Sequence, residues 1–131
     1  MGADVHPYLE LKIGKKWYFV GDIIHGRNYE AFSWLSGVRA RLSSQVGGHF
    51  TVLYSMPKDV SKEIRTEWNR WGTDGHSLTI VDYQKLNALS LAASEKVQQI
   101  PSMPYDWLAV MRKFMLKGFA EDARVVLWYD N

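Results

Sequence analysis

The sequence predicts an α+β fold: a small antiparallel sheet built from both chain ends, with about four helices packed on one face. Three observations predict it. Residues 4–13 alternate apolar and polar side chains, and residues 123–129 are apolar apart from Arg124, so both ends read as strands. Between them, apolar residues recur at helical spacing in stretches that carry helix start and stop signals. The chain has 131 residues, the size of one domain, with no internal repeat or low-complexity tract, so residues 1–131 are expected to form a single unit.

Taken in order, Val5, Leu9, Leu11 and Ile13 fall on one face of the first strand. Asp4, His6, Tyr8, Glu10 and Lys12 fall on the other, because successive side chains point to opposite sides. Pro7 lacks an amide donor, which favours an edge or pairing on one side only. Gly14-Lys15-Lys16 reads as a tight turn and Trp17–Val20 as the returning strand of a hairpin. Asn28 is a good N-cap for a helix through Tyr29, Phe32 and Leu35, stopped at Gly37. Residues 42–49, with Ser43, Ser44, Gly47 and Gly48, read as a loop, and His49–Tyr54 as a short strand.

Asp59 or Ser61 caps a second helix whose Ile64, Trp68 and Trp71 share a face; Gly72 ends it, and Asp74-Gly75 reads as a turn. Thr79-x-x-Asp82 precedes a third helix with Leu86, Leu89, Ala93 and Val97 on one stripe. Pro101 and Pro104 separate it from a fourth, with Pro104 suited to the first helical position, Trp107, Met111 and Phe114 facing inward, and Gly118 as the stop. Arg112, Lys113 and Lys117 favour its C-terminal end. If the last strand lies beside the first, Arg124, Trp128 and Asp130 join Asp4, His6 and Tyr8 on an outer face.

Composition narrows the function. Sixteen Lys and Arg against fourteen Asp and Glu give a net charge of +2, too little for a general nucleic-acid binder, although Arg27, Arg39 and Arg41 are close in sequence. The absence of cysteine excludes disulfides, thiolate metal sites and thiol nucleophiles. No apolar run approaches the length of a membrane span, and the first residues lack a signal-peptide pattern, so the expected compartment is the cytoplasm.

The unit Asp-x-His occurs twice, at Asp4-Val5-His6 and Asp74-Gly75-His76. A carboxylate and an imidazole on one side of a strand suit a divalent metal, a proton shuttle or a phosphate; they also occur as ordinary surface pairs. The candidate metal ligands are Asp4, His6, Asp74, His76 and Asp130, and one divalent ion is the cofactor they would accept. Arg27 and Arg39 flank the first helix, where guanidinium forks and the free amides near Asn28 suit an anion, or surface carboxylates. Most aromatic residues read as core, whereas Tyr8 and Trp128 on the outer face are the candidates for stacking on a base.

Several stretches together resemble a family of small proteins encoded by tailed phages and prophages. They are Met1-Gly2-Ala3-Asp4-Val5-His6, Arg27-Asn28-Tyr29 with Phe32, Ser36-Gly37-Val38-Arg39 and Met56-Pro57-Lys58-Asp59-Val60-Ser61. Trp71 with Asp74-Gly75-His76-Ser77, and Arg124-Val125-Val126-Leu127-Trp128-Tyr129-Asp130-Asn131, complete the set, which spans nearly the whole chain. That family typically opens Met-Gly-Cys-Asp-Ile-His and closes on a Phe-Trp-Phe-Asp-Asn-like end. Two features depart from it: Ala3 stands where the family has cysteine, and the stretch after His76 is short.

The resemblance implies a phage accessory protein in the cytoplasm of an infected bacterial host, with site positions among Asp4, His6, Arg27, Asn28, Arg39, Asp74, His76 and Asp130. The first expectation is a counter-defence protein that binds and sequesters a small phosphorylated, nucleotide-derived ligand through Arg27, Asn28, Arg39, His6, His76, Tyr8 and Trp128. The second is a metal-dependent phosphoesterase or related hydrolase built on the Asp-x-His units. The third is an inhibitor that binds a host protein. No recognised catalytic motif is present, so turnover stays open, as does self-association.

Overall fold

The computed structural model of the protein describes residues 2–39, 48–95 and 100–130. Arg41, Val97 and Asn131, and the loop expected up to Gly47, lie outside the described residues. Four strands form one antiparallel sheet in the order β2-β1-β4-β3. They are β1 (Asp4–Ile13), β2 (Lys16–Asp22), β3 (His76–Asp82) and β4 (Asp122–Asp130), with helices α1 (Tyr29–Ser36), α2 (Lys62–Trp71), α3 (Tyr83–Glu95) and α4 (Ser102–Leu116). The fold is α+β, and the two chain ends meet at its centre: β1 pairs β4 from Asp4↔Asp130 to Lys12↔Asp122. Among the described residues no helix is long and apolar enough to cross a membrane.

Local chemistry accounts for most boundaries. Gly14 and Lys15 both have positive φ, 58° and 74°, as a two-residue hairpin turn between twisted strands requires. Pro7 pairs with β4, while the β1–β2 ladder starts at Tyr8, so its missing amide donor interrupts no pairing with β2. Asn28 caps α1 by accepting the Ala31 amide at 3.1 Å, and Gly37 closes the helix in the left-handed region. The Asp82 carboxylate accepts the Lys85 amide at 2.9 Å at the start of α3.

The helices do not all pack on one face. α1, α3 and α4 cover one side, where Val5, Leu9, Leu11, Val125, Leu127 and Tyr129 meet Phe32, Leu35, Leu86, Trp107 and Met111. α2 covers the other, where Ile64, Met56 and Val60 bury Leu78, Val126 and Trp128, with Trp68 and Trp71 alongside. The expected outer face is therefore largely interior. Its apolar members, Val126 and Trp128, need a cover, and the Ile64–Trp68–Trp71 stripe of α2 supplies one.

Three further expectations change. β3 is a strand where the Thr79-x-x-Asp82 pattern predicts a helix start; Leu78, Thr79 and Val81 are buried, and the strand joins the sheet through β4. The strand expected at His49–Tyr54 reduces to one bridge, Val52↔Thr79, with the Leu53 amide on the Leu78 carbonyl. α4 starts at Ser102, which puts Pro104 third; that position is still within the first turn, where no helical amide donor is needed.

A buried ion pair ties the two layers together. Glu10 and Arg124 are opposite each other on β1 and β4, 0% and 6% exposed. Arg124 Nε donates to Glu10 Oε1 at 2.7 Å, and its Nη2 donates to Asp59 at 3.2 Å. Glu10 Oε2 accepts the Ser61 amide at 2.7 Å, and the guanidinium lies 4.0 Å from the Trp17 ring centre. Glu10→Ala leaves Arg124 buried without its main partner, so it is expected to lower unfolding free energy by about 3–5 kcal/mol. Urea denaturation measures it, and an unchanged midpoint would refute this role.

Residues 49 and 50, in the α1–α2 connection, close the far end of α1. The His49 and Phe50 amides donate to the Trp34 and Leu35 carbonyls at 2.8 and 2.9 Å. Partial burial, and then the charge of Lys85, lower the His49 pKa below its ordinary 6.5. Because the folded protein disfavours the proton, the contribution of neutral His49 to stability is present above that ordinary value. It is lost as pH falls through the lowered folded value. Proton NMR titration should place His49 below 6.5, and Lys85→Gln should move it upward.

Candidate functional site

The residues expected to act together gather at one end of the sheet, where β1 starts and β4 ends. Asp4 and His6 do share a face, as their spacing requires, but they take different partners. Arg27 grips Asp4 as a fork, Nε to Oδ1 at 3.0 Å and Nη2 to Oδ2 at 3.1 Å. His6 Nε2 lies 2.5 Å from Asp130 Oδ2, and its ring lies 4.3 Å from Trp71. The two carboxylates face each other across the strand pair, each answered by its own cation or imidazole.

The second Asp-x-His unit is on the opposite side. His76 is registered with Tyr129 and stacks on its ring at 6.1 Å, on the α1 face of the sheet, while His6 lies under α2 with Trp128. His76 Nδ1 is 2.9 Å from the Ser77 hydroxyl, and Asp74 sits in the short 3-10 turn Gly72–Asp74. The sheet itself thus separates the two imidazoles. Among the described residues no group of three His, Cys, Asp or Glu side chains is placed to hold one metal ion. Gly75 has an ordinary extended φ of −86°, so it does not serve a positive-φ turn. A Cβ there would lie 3.1–3.2 Å from Trp68, Trp71 and Trp128.

Tyr8 and Trp128 are not open to a ligand in the expected way. Trp128 is fully buried, with Tyr8 and Trp68 rings each 5.3 Å away. Burial first, then the charges of Glu67 and Asp22, raise the Tyr8 pKa. On the other face a hydroxyl chain runs from Tyr129 to Ser36 to Thr79, each step 2.8 Å, and ends on the Ser77 carbonyl at 2.9 Å. Since a carbonyl only accepts, Thr79 donates to it, Ser36 donates to Thr79, and Tyr129 donates to Ser36. Burial holds the Tyr129 hydroxyl well above its usual pKa, consistent with a neutral donor.

Arg27, Asn28 and Arg39 remain at an accessible edge. Arg39 lies over the Tyr29 ring at 5.7 Å, and both Arg27 and Tyr29 approach Gly2, where a Cβ would collide with the guanidinium. Asp4, by hydrogen bond and by charge, raises the Arg27 pKa further. Beside this edge is a cleft of about 290 Å³ lined by Ile24, His25, Gly26, Arg27, Asn28, Ser102, Met103 and Asp106. The starts of α1 and α4 both reach it, at Asn28 and Ser102.

His25, Ser102 and Asp106 are cleft residues that the sequence reading did not select. Only the proximity of His25 to Arg27 offered a signal; Ser102 and Asp106 arrive through packing of α4. The Trp107 indole donates to the Ile24 carbonyl at 2.6 Å and fixes the loop against that helix. His25 Nδ1 is 2.8 Å from the Ile23 carbonyl, so Nδ1 carries the proton and Nε2 is its other polar atom.

No known protein family, curated protein or solved structure matches the chain. The likeness to phage proteins therefore rests on the sequence motifs alone.

Gly75→Ala is expected to cost about 1–3 kcal/mol, because the Trp68 and Trp128 rings and the Trp71 Cβ must give way to admit one methyl group. A lowered thermal midpoint with a shifted tryptophan emission spectrum would bear this out; an unchanged protein would return the glycine to a turn role.

Proposed function

We propose that the protein binds a small phosphorylated, nucleotide-derived ligand and withholds it from a bacterial host, as an accessory protein of a tailed phage. The observation that carries this reading is the cleft where Arg27, His25 and the starts of α1 and α4 meet. First-turn amides of a helix lack helical acceptors and carry partial positive charge, so two helix starts beside a guanidinium favour an anion. The Asn28 side-chain oxygen is occupied by the Ala31 amide, which leaves its NH₂ group as a donor.

Asp106 gives the cleft an acceptor as well as donors. That mixture suits a phosphate joined to a sugar hydroxyl or a base amino group. Arg27 is already forked to Asp4, but both side chains are 51% exposed. Exposed ion pairs are weakly held, so a dianionic phosphate can replace the carboxylate. The phage setting comes from the sequence resemblance, and sequestration is the role that an anion-binding cleft in such a protein suits best.

Purified protein incubated with lysate from phage-infected cells, washed and denatured, should release an intact phosphorylated small molecule detectable by mass spectrometry. Arg27→Ala combined with Arg39→Ala should lower that retention by roughly tenfold or more, since forked charge-assisted hydrogen bonds are the strong ones. Equal retention by a correctly folded double variant would sink the reading.

A further inference from the structure

We infer that the protein carries a second ligand site, which takes the phosphates of a polyphosphorylated small molecule between the β1–β2 hairpin and the start of α2. A cleft of about 530 Å³ opens there, within the range of small-molecule sites. Four lysines line it: Lys15 and Lys16 from the hairpin, Lys58 and Lys62 from the approach to α2 and its first turn. All four are exposed, and among the described residues none of them has an ion-pair partner. Lys16 rests over the Tyr18 ring at 5.4 Å. Ammonium groups brought together from two separate elements concentrate positive potential over the cleft between them.

The acidic residues nearby do not cancel that potential. Asp59 and Glu63 are the carboxylates lining the cleft, two against four lysines, and Asp59 is shared with Arg124 at 3.2 Å. Glu10 beneath is also held by Arg124.

Ser61 supplies the second, independent observation. It occupies the N-cap position of the ten-residue helix α2, lines the cleft, and is 8% exposed. Its Oγ is buried, finds no hydrogen-bond partner among the described residues, and does not cap the first turn. A serine at this position ordinarily turns its oxygen onto the first-turn amides. Here the backbone amide of Ser61 is taken by Glu10, while the hydroxyl stays unused. A buried hydroxyl without a partner carries a desolvation cost that a phosphate oxygen would offset.

The charge count points to the ligand class. A single phosphate monoester carries at most about −2 near neutral pH, so four ammonium groups match a diphosphate or triphosphate better. This site is separate from the Arg27 cleft. β1 has ten residues, and its two ends are roughly 30 Å apart, with Asp4 and Arg27 at one and the Lys15–Lys16 turn at the other. The inference therefore stands whether or not the Arg27 reading does.

Calorimetric titration of the full chain with inorganic tripolyphosphate and with ATP tests it. Saturable binding is expected, weakened roughly tenfold or more by Lys58→Gln with Lys62→Gln and severalfold by Ser61→Ala. Both sets of changes should leave the thermal midpoint near that of the wild type, since the lysines are exposed and the hydroxyl has no partner to lose. The control pair Lys113→Gln with Lys117→Gln should leave the affinity unchanged. Absence of saturable binding by the wild type would overturn the site. So would equal weakening in the Lys113 and Lys117 control, which would mean general charge attraction, or loss on Arg27→Ala alone, which would place the binding at the other cleft.

Discussion

The arrangement depends on one buried ion pair, Glu10 with Arg124. Each charge alone would be costly in the interior, so the pair is tolerable only because its polar atoms are used. One Glu10 oxygen meets the guanidinium and the other meets the Ser61 amide. Arg124 adds Asp59 and the Trp17 ring. Four pieces of the chain therefore converge on two side chains: β1, β4, β2 and the approach to α2. The geometry also opposes a register slip, because moving β4 by one residue would turn Arg124 to the opposite face and strand both charges.

That constraint explains why the polar-looking face of β1 is interior. Glu10 binds the residue just before α2, which brings the helix across the even-numbered side chains of β1 and β4. Ile64, Trp68 and Trp71 then have somewhere to pack, and Trp128 gains a cover. The helix stripe and the strand face are two halves of one interface. In the sequence they are separated by more than fifty residues and read as unrelated features.

The parts of the fold written in local chemistry were legible. The alternation in β1, the Asn28 and Gly37 caps and the hairpin turn all follow from short stretches. What was not legible depended on distant partners. Glu10 and Arg124 are charged residues on an alternating strand, and such residues are usually solvated. Their burial is visible only once the strands are registered and both prove to share a face. β3 was hidden by Thr79 and Asp82, which match a helix-start pattern; Asp82 does cap α3, while Thr79 belongs to the strand before it. The repeated Asp-x-His unit misled for a similar reason. Spacing fixes which way a side chain points within its own strand, but not which face of the sheet the second strand will offer.

The site end of the molecule shows how burial changes the meaning of the same chemistry. Arg124 with Glu10 and Arg27 with Asp4 are both arginine–carboxylate pairs. The first is sealed from water and joined by other donors and acceptors, so neither partner can leave without stranding the other. The second is half exposed, with water ready to replace either partner, and beside it are a cleft and two helix starts. His6 with Asp130 is intermediate, about one-fifth exposed on each side chain and packed against Trp71, which makes it a clasp between the first and last strands. Arg27 and Asp4 are the half-exposed, exchangeable pair at this end, whereas His6 is committed to Asp130 and Trp71, and His76 stacks on Tyr129. Ligand binding at this end therefore falls to polar groups whose present partners can be replaced.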